Sequence, residues 1–228
     1  MIFSIYEDFV KSANMTPKNA KLILRHSLRG DIRKGETGLN TLLTREGKVL
    51  AKHFGQHCKF NIERIFSSYI QRCVETANCF LQGYDKTHNK NLDIITTDIL
   101  ADCYIDDIKK AGKLFKNKNV QYIMSSFLRG ETLPGMKDIH STMNILLNFI
   151  FQNECENMEI FVTHDTFLLA IICFCYGITE YNYDEIWPYM LEGAFIYYDS
   201  NRGSIECIFR GIQRGRKFTL QRNLHAGR

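Results

Sequence analysis

Short apolar runs alternate with amphipathic stretches along the chain. Leu22-Ile23-Leu24 is wholly apolar and too short for a helix. Lys21 closes it on one side, Arg25 and Gly30 on the other, which predicts a buried strand. Ile62 to Phe66, Asp93 to Thr97 and Glu159 to Thr163 read the same way. Helical spacing fills the intervals. Phe3, Tyr6, Val10 and Ala13 predict a helix over 3–14 that Pro17 stops. Thr44 is an N-cap for a helix from Arg45 to about His57, with Leu50, Ala51 and Phe54 as its buried stripe. A helix from Ile70 to Leu81 carries the stripe Cys73, Val74, Ala77 and Phe80, and Asp138 caps another through about Phe151. Phe167 to Tyr176 is apolar all round and therefore buried. Leu191–Tyr198 and Ser204–Arg210 flank Asn201-Arg202-Gly203 as a final antiparallel hairpin. The basic tail from Arg210 to Arg228 reads as a solvated end.

Strands alternating with helices predict an α/β protein, a three-layer α/β/α sandwich with a mostly parallel central sheet. The 228 residues suit a single domain over 1–228 with a cap insertion at about 98–135, where periodicity is lost. That stretch carries Asp98, Asp102, Asp106 and Asp107, then a lysine-rich segment from Lys109 to Lys118. It is the expected seat of substrate selectivity.

Composition narrows the class. With 45% hydrophobic and 24% charged residues, the chain has the make-up of a soluble globular protein. A net charge of +4 fits an anionic ligand without demanding nucleic acid. The eight cysteines contain no Cys-x-x-Cys and several sit in apolar contexts, so they read as reduced thiols. The N-terminus lacks the basic start of a signal peptide and no apolar run approaches a membrane span, which points to the cytoplasm. His53 and His57 share a helix face, with Cys58 next. Without a Glu after His53 and without further ligands, surface histidines are the expectation rather than a metal site.

The strand ends carry the chemistry. Arg25-His26-x-x-Arg29 follows the first strand, Ser67-Ser68-x-x-x-Arg72 the second, and His164-Asp165 the fourth. In a parallel sheet these ends lie on one edge, where open α/β sheets bind ligands. Arginine forks match phosphate oxygens, and nearby cations keep an imidazole neutral and nucleophilic. Arg72, in the first turn of its helix, would add a fork to backbone N–H groups aimed at the same anion. Solvated basic residues at a strand end would give the same local pattern, so the case rests on convergence. No Gly-x-Gly-x-x-Gly follows a strand, which argues against a dinucleotide fold.

Four motifs occur in order: Leu24-Arg25-His26-Ser27-Leu28-Arg29, Leu43-Thr44-Arg45-Glu46-Gly47, the stretch Ser67 to Ala77 around Arg72, and Thr163-His164-Asp165. Together they resemble the histidine phosphatase superfamily, the fold shared by phosphoglycerate mutases and histidine acid phosphatases, over about Leu22 to Phe209. The resemblance implies that His26 is the nucleophile that becomes phosphohistidine. It implies that Arg25, Arg29 and Arg72 hold the phosphoryl oxygens and that His164 bonds the same group. Asp165 resembles the proton donor of the acid-phosphatase branch. In the mutase-like branch a Glu from elsewhere does that job, and Asp102, Asp106 and Glu131 are the substitutes here. One departure stands out: the family usually has Gly after the nucleophile, and this chain has Ser27.

The expected function is hydrolysis of phosphate monoesters on a small phosphorylated substrate, with no cofactor, no metal, no nucleic acid and no membrane as partner, and with oligomeric state left open. The alternatives are a phosphomutase, with Lys109–Lys118 as a second phosphate surface, and a weakly active phosphoryl-ligand binding protein, for which Ser27 is the support.

Overall fold

The computed structural model describes residues 10–17, 19–32, 36, 38–88, 90, 92–152 and 155–221. Its centre is a seven-stranded sheet in the order β3-β2-β4-β1-β5-β6-β7. The strands are β1 (Lys21–Arg25), β2 (Ile62–Ser68), β3 (Ile94–Thr97), β4 (Met158–Thr163), β5 (Gly193–Asp199), β6 (Ser204–Phe209) and β7 (Ile212–Lys217). The first four run parallel to one another. β5, β6 and β7 continue the sheet antiparallel from the side of β1.

Period-two alternation sends neighbouring side chains of each central strand to opposite layers. Leu22, Leu24, Ile160 and Val162 pack on one face with Cys73, Ala77, Phe80 and Tyr84. Ile23 and Phe161 join the other face with Leu146, Leu147, Leu168 and Ile172. A fully buried Leu or Ile contributes about 1.5–3 kcal/mol, so both faces must be covered. The first layer is α1 (Arg45–His57) and α2 (Gln71–His88). The second contains α3 (Ile99–Asp102), α4 (Ile108–Asn117), α5 (Val120–Leu128), α6 (Ile139–Ile150) and α7 (Asp165–Tyr176), and the short α8 (Tyr183–Ile186) follows. The expected three-layer sandwich is therefore present.

The elements start where local chemistry dictates. The Thr44 side chain accepts from the Gly47 N–H at the start of α1, and Asp138 accepts from Ser141 N–H at the start of α6. α7 is apolar on every side and ends at Gly177, at φ 68. Of the helix expected over 3–14, residues 10–14 are helical and 3–9 lie outside the described residues.

Three expectations change. The buried face of α1 is Gly47, Ala51 and Gly55, while Leu50 and Phe54 are only half-buried. The reason is a close backbone approach between α1 and α2. A Cβ on Gly55 would come within 2.0 Å of the Phe80 carbonyl, and one on Gly83 within 2.0 Å of the Lys52 carbonyl. α2 runs to His88, beyond the expected Leu81, because Gly83 and Tyr84 prolong its buried side. The tail is not wholly a solvated end. β7 pairs along its length with β6, but all its residues are exposed, so no apolar alternation marks it. The joining residues Arg210 and Gly211, at φ 50 and 74, have the positive φ values of a two-residue type I′ hairpin.

Between β3 and α6 the aperiodic segment is three short helices. Asp107 and Asn119 cap α4 and α5, and α5 buries Ile123, Met124, Phe127 and Leu128. Lys109, Lys110, Lys113 and Lys116 lie exposed on α4. On α1, the His53 and His57 rings stack at 4.0 Å and Cys58 is buried beside them. All eight cysteines are free thiols. Among the described residues no helix is long and apolar enough to cross a membrane.

The α1–α2 approach yields a paired prediction. Gly55→Ala forces two backbones apart and costs about 1–3 kcal/mol. Gly112→Ala on α4, where a Cβ meets nothing within 4 Å, stabilises by about 0.5–1 kcal/mol. Urea unfolding of both variants measures the contrast.

Candidate active site

The parallel registers align the strand ends. Arg25 stands opposite Thr163, and Ser68 stands opposite Thr97. His26 follows β1, and its N–H donates to the Thr163 carbonyl at 2.9 Å. His164 follows β4 and begins α7. Arg72 lies in the first turn of α2. The topology thus brings His26, His164, Arg25, Arg72 and Asp165 to one edge, as the sequence predicts.

His26 is 2% exposed. Its Nδ1–H donates to the Ser27 carbonyl at 2.8 Å, which leaves the lone pair on Nε2. The His164 ring lies 5.6 Å from it, centroid to centroid, at 67°. Arg72 Nη2 donates to His164 Nδ1 at 3.1 Å and Nη1 donates to the Gly38 carbonyl at 2.7 Å. The His164 proton therefore sits on Nε2, which is 3.1 Å from Ser68 Oγ.

Arg25 spans the other side. Its Nη1 donates to the Pro188 carbonyl at 2.6 Å and its Nη2 pairs with Asp165 Oδ2 at 2.6 Å. Among the described residues the buried Nε atoms of Arg25 and Arg72 find no hydrogen-bond partner. Buried donors without acceptors are costly, and these two belong to the same sheet edge. Arg29 is half-buried, with Nη1 on the Gly30 carbonyl at 2.8 Å.

Electrostatics suit the same role. Burial, then the charges of His164, Arg72 and Arg25, pushes the His26 imidazole well below its usual range, against a smaller opposing effect of the Ser27 carbonyl. Burial, then Arg72 and Arg25, takes His164 down to about 3. Both rings are neutral at pH 7. Burial also lowers the Arg29 and Arg72 guanidiniums.

The acids divide. Asp165 is ion-paired to Arg25, and its Oδ1 accepts from the Thr166 N–H at 2.9 Å. Asp102 accepts from Tyr69 Oη at 2.8 Å, and Tyr69 is the neighbour of Ser68. Glu131 is exposed and paired with Arg129 at 2.7 Å, and Asp106 is exposed.

Ser27 fits without strain. Among the described residues positive φ outside glycine occurs only at Leu191 and Arg210. Ser27 is fully buried, its N–H donates to Thr76 Oγ1 at 3.0 Å, and its hydroxyl donates to the Gly47 carbonyl at 2.7 Å. The residue joins β1 to the first turn of α1.

Sequence reasoning missed the support around Arg25. Trp187-Pro188 is buried and leads into a strap over the end of β1. Leu191 N–H donates to the His26 carbonyl at 3.1 Å, and Arg25 N–H donates to the Glu192 carbonyl at 2.9 Å. Glu192, 4% exposed, is held by Arg210 Nε and Nη2 at 2.8 and 2.9 Å. Arg210 Nη2 also donates to the Trp187 carbonyl at 3.2 Å. A charged residue directly before the apolar run of β5 was the signal, since a buried carboxylate needs a partner and the hairpin brings Arg210 to the start of β5.

Comparison with known proteins places the chain in a family. The family model for the histidine phosphatase superfamily (branch 1) matches residues 22–207, and the chain belongs to that superfamily. No curated protein sequence matches it. Among solved structures it is similar to a phosphoserine phosphatase from Entamoeba histolytica in complex with 3-phosphoglyceric acid. That match has 18% identity and a TM-score of 0.54, over 78% of this chain and 90% of that one. A mycobacterial glucosyl-3-phosphoglycerate phosphatase complexed with VO3 gives 12% identity and a TM-score of 0.54, over 89% and 100%. Phosphoglycerate mutase from Bacillus anthracis gives 13% and 0.53, over 89% and 93%. At these identities the likeness is one of fold.

Two predictions follow from the buried groups. His26 and His164 are neutral when folded and take up protons once unfolded below about pH 6.5, so their contribution to stability is complete above that pH. It falls as pH drops below about 6.5, by about 1.4 kcal/mol per unit per histidine, and for His164 the fall runs down to about pH 3. Urea titrations between neutral and acid pH will show this slope, and His164→Gln will reduce it by about one proton. Arg210→Ala strands the Glu192 carboxylate and costs about 3–5 kcal/mol. Adding Glu192→Gln recovers part of that loss, as a double-mutant cycle of unfolding energies will report.

Proposed function

We propose that this protein is a phosphomonoesterase working through a phosphohistidine on His26. The observation that carries the reading is the His26 Nε2 lone pair, set by the Nδ1 bond to Ser27, beside guanidinium donors that lack acceptors. The substrate is a small phosphorylated molecule. Its phosphoryl group carries about −1.5 to −2 charges near neutral pH. Arg25, Arg29 and Arg72 offset that charge and the charge on the equatorial oxygens during transfer, and the His164 imidazole bonds the same group. His26 Nε2 attacks phosphorus in line as the ester P–O bond breaks, and the leaving alkoxide takes a proton from an acid. Water, deprotonated by the same residue, then cleaves the N–P bond and frees His26.

Asp165 is our first choice for that acid, since it touches Arg25 at the edge itself. One observation favours Asp102 as a second choice: it receives the Tyr69 hydroxyl beside Ser68 and makes no ion pair to a site arginine. The branch 1 match also supports an acid supplied from elsewhere in the chain, as the resemblance to mutases implies. The mutase alternative has less support, because the lysines of α4 lie exposed and Lys110 pairs with Asp107. The weak-binder alternative loses its basis with the unstrained Ser27.

The test is hydrolysis of an aryl phosphate with chelator present. Wild type will form acid-labile, base-stable phosphoprotein, and His26→Ala will form none and turn over at least about 100-fold more slowly. Replacing the true acid, by Asp165→Asn or Asp102→Asn, will slow alkyl phosphates by about 10²–10⁴ and nitrophenyl phosphate far less, because a good leaving group needs no proton. A wild type without phosphoprotein or turnover on a broad set of monoesters overturns the proposal.

A further inference from the structure

The arginines of the site are not equivalent. Arg72 is matched by neutral acceptors, the Gly38 carbonyl and the His164 ring, and Arg29 by the Gly30 carbonyl. Among the described residues Arg25 is the one of the three in a direct ion pair, with Asp165, whose charge is also felt at Arg29 and Arg72. The Arg25 side chain is 8% exposed and its Nη1 is fixed on the Pro188 carbonyl, so it cannot swing away. The Asp165 side chain is 23% exposed, and its remaining bond goes to the adjacent Thr166 N–H. The carboxylate is therefore the movable half of the pair.

We propose that Asp165 is the resident occupant of the Arg25 anion site, and that a phosphoryl group enters by displacing it. This rests on the phosphatase reading and adds to it how the substrate is admitted. An oxyanion seeking the Arg25 Nη2 donor meets a carboxylate already tethered there. Tethering gives Asp165 an effective concentration in the millimolar range or above, so a monoanion such as chloride or acetate gains little by competing. A phosphoryl dianion can use Arg72 and Arg29 as well as Arg25, and its charge repels the carboxylate it replaces. The site thus selects for a tetrahedral dianion through an exchange rather than through a standing basic patch. The displaced carboxylate remains in the first turn of α7, next to the group that has replaced it.

The experiment is calorimetric titration of inorganic phosphate into wild type, Asp165→Asn, Arg25→Gln and the double variant. Asp165→Asn, isosteric but uncharged, is expected to bind phosphate about tenfold more tightly, the scale of one charged hydrogen bond no longer given up. In the Arg25→Gln background the same change is expected to bring a clearly smaller gain, that of relieved charge repulsion alone. A gain undiminished there means that Asp165 repels phosphate through its field alone, and no gain in either background means that nothing is displaced; each result overturns the exchange. Absence of phosphate binding in every variant overturns the phosphatase reading along with it, which separates the two failures. A crystal structure of the wild type with phosphate gives a readout independent of variant folding. The Asp165 carboxylate is expected beyond about 4 Å from Arg25 Nη2, and an intact ion pair beside bound phosphate overturns the proposal.

Discussion

Holding cations together at one sheet edge is the constraint on which the rest of this structure depends. Guanidinium groups repel, and their burial is costly, so each must be met by something that does not cancel its use. The fold supplies mostly neutral acceptors. Carbonyl oxygens of Gly38, Pro188 and Gly30 and the Nδ1 of His164 each take one N–H. These partners orient the forks while leaving their charge available. They also explain why both histidines stay neutral: the surrounding positive field and burial act in the same direction on each ring.

The acceptors are main-chain atoms, so the site is only as precise as the backbone behind it. The strap that carries Pro188 is fastened by Glu192 and Arg210, and Arg210 is held in place by the tight β6–β7 turn in which it lies. On the opposite side Gly47 lets α1 press against Leu28, where a Cβ would come within 2.1 Å of its carbonyl, and Ser27 bonds across to the same turn. At the far end of β1, Lys21 and Arg64 share the buried carboxylate of Glu159, which ties β1, β2 and β4 together away from the chemistry. Rigid placement of charge in advance is the usual source of electrostatic catalysis.

Much of this was legible in the chain because it is local. The Leu22-Ile23-Leu24 run ending in Arg25-His26, and the caps Thr44 and Asp138, are decided by residues within a few positions of one another. The three-layer order follows from strand–helix alternation. The unread parts depend on distant partners or on missing side chains. The packed face of α1 is built from glycines, which a search for apolar stripes passes over. β7 has no buried face, and its Arg210-Gly211 turn lacks the usual Asn or Asp. Glu192 finds its partner through hairpin register, and the acceptors for Arg25 and Arg72 are carbonyls, which every residue has. Ser27 looked like a defect beside a family glycine because a residue type does not state its φ.

β7 also closes the sheet to its own kind. An edge strand displays unpaired N–H and C=O groups to any chain that can extend the ladder. This one presents Arg214, Arg216 and Lys217 along a fully exposed ribbon. A second copy docking there would have to bring guanidinium against guanidinium. Positive charge at this margin thus disfavours the joining of molecules into ribbons.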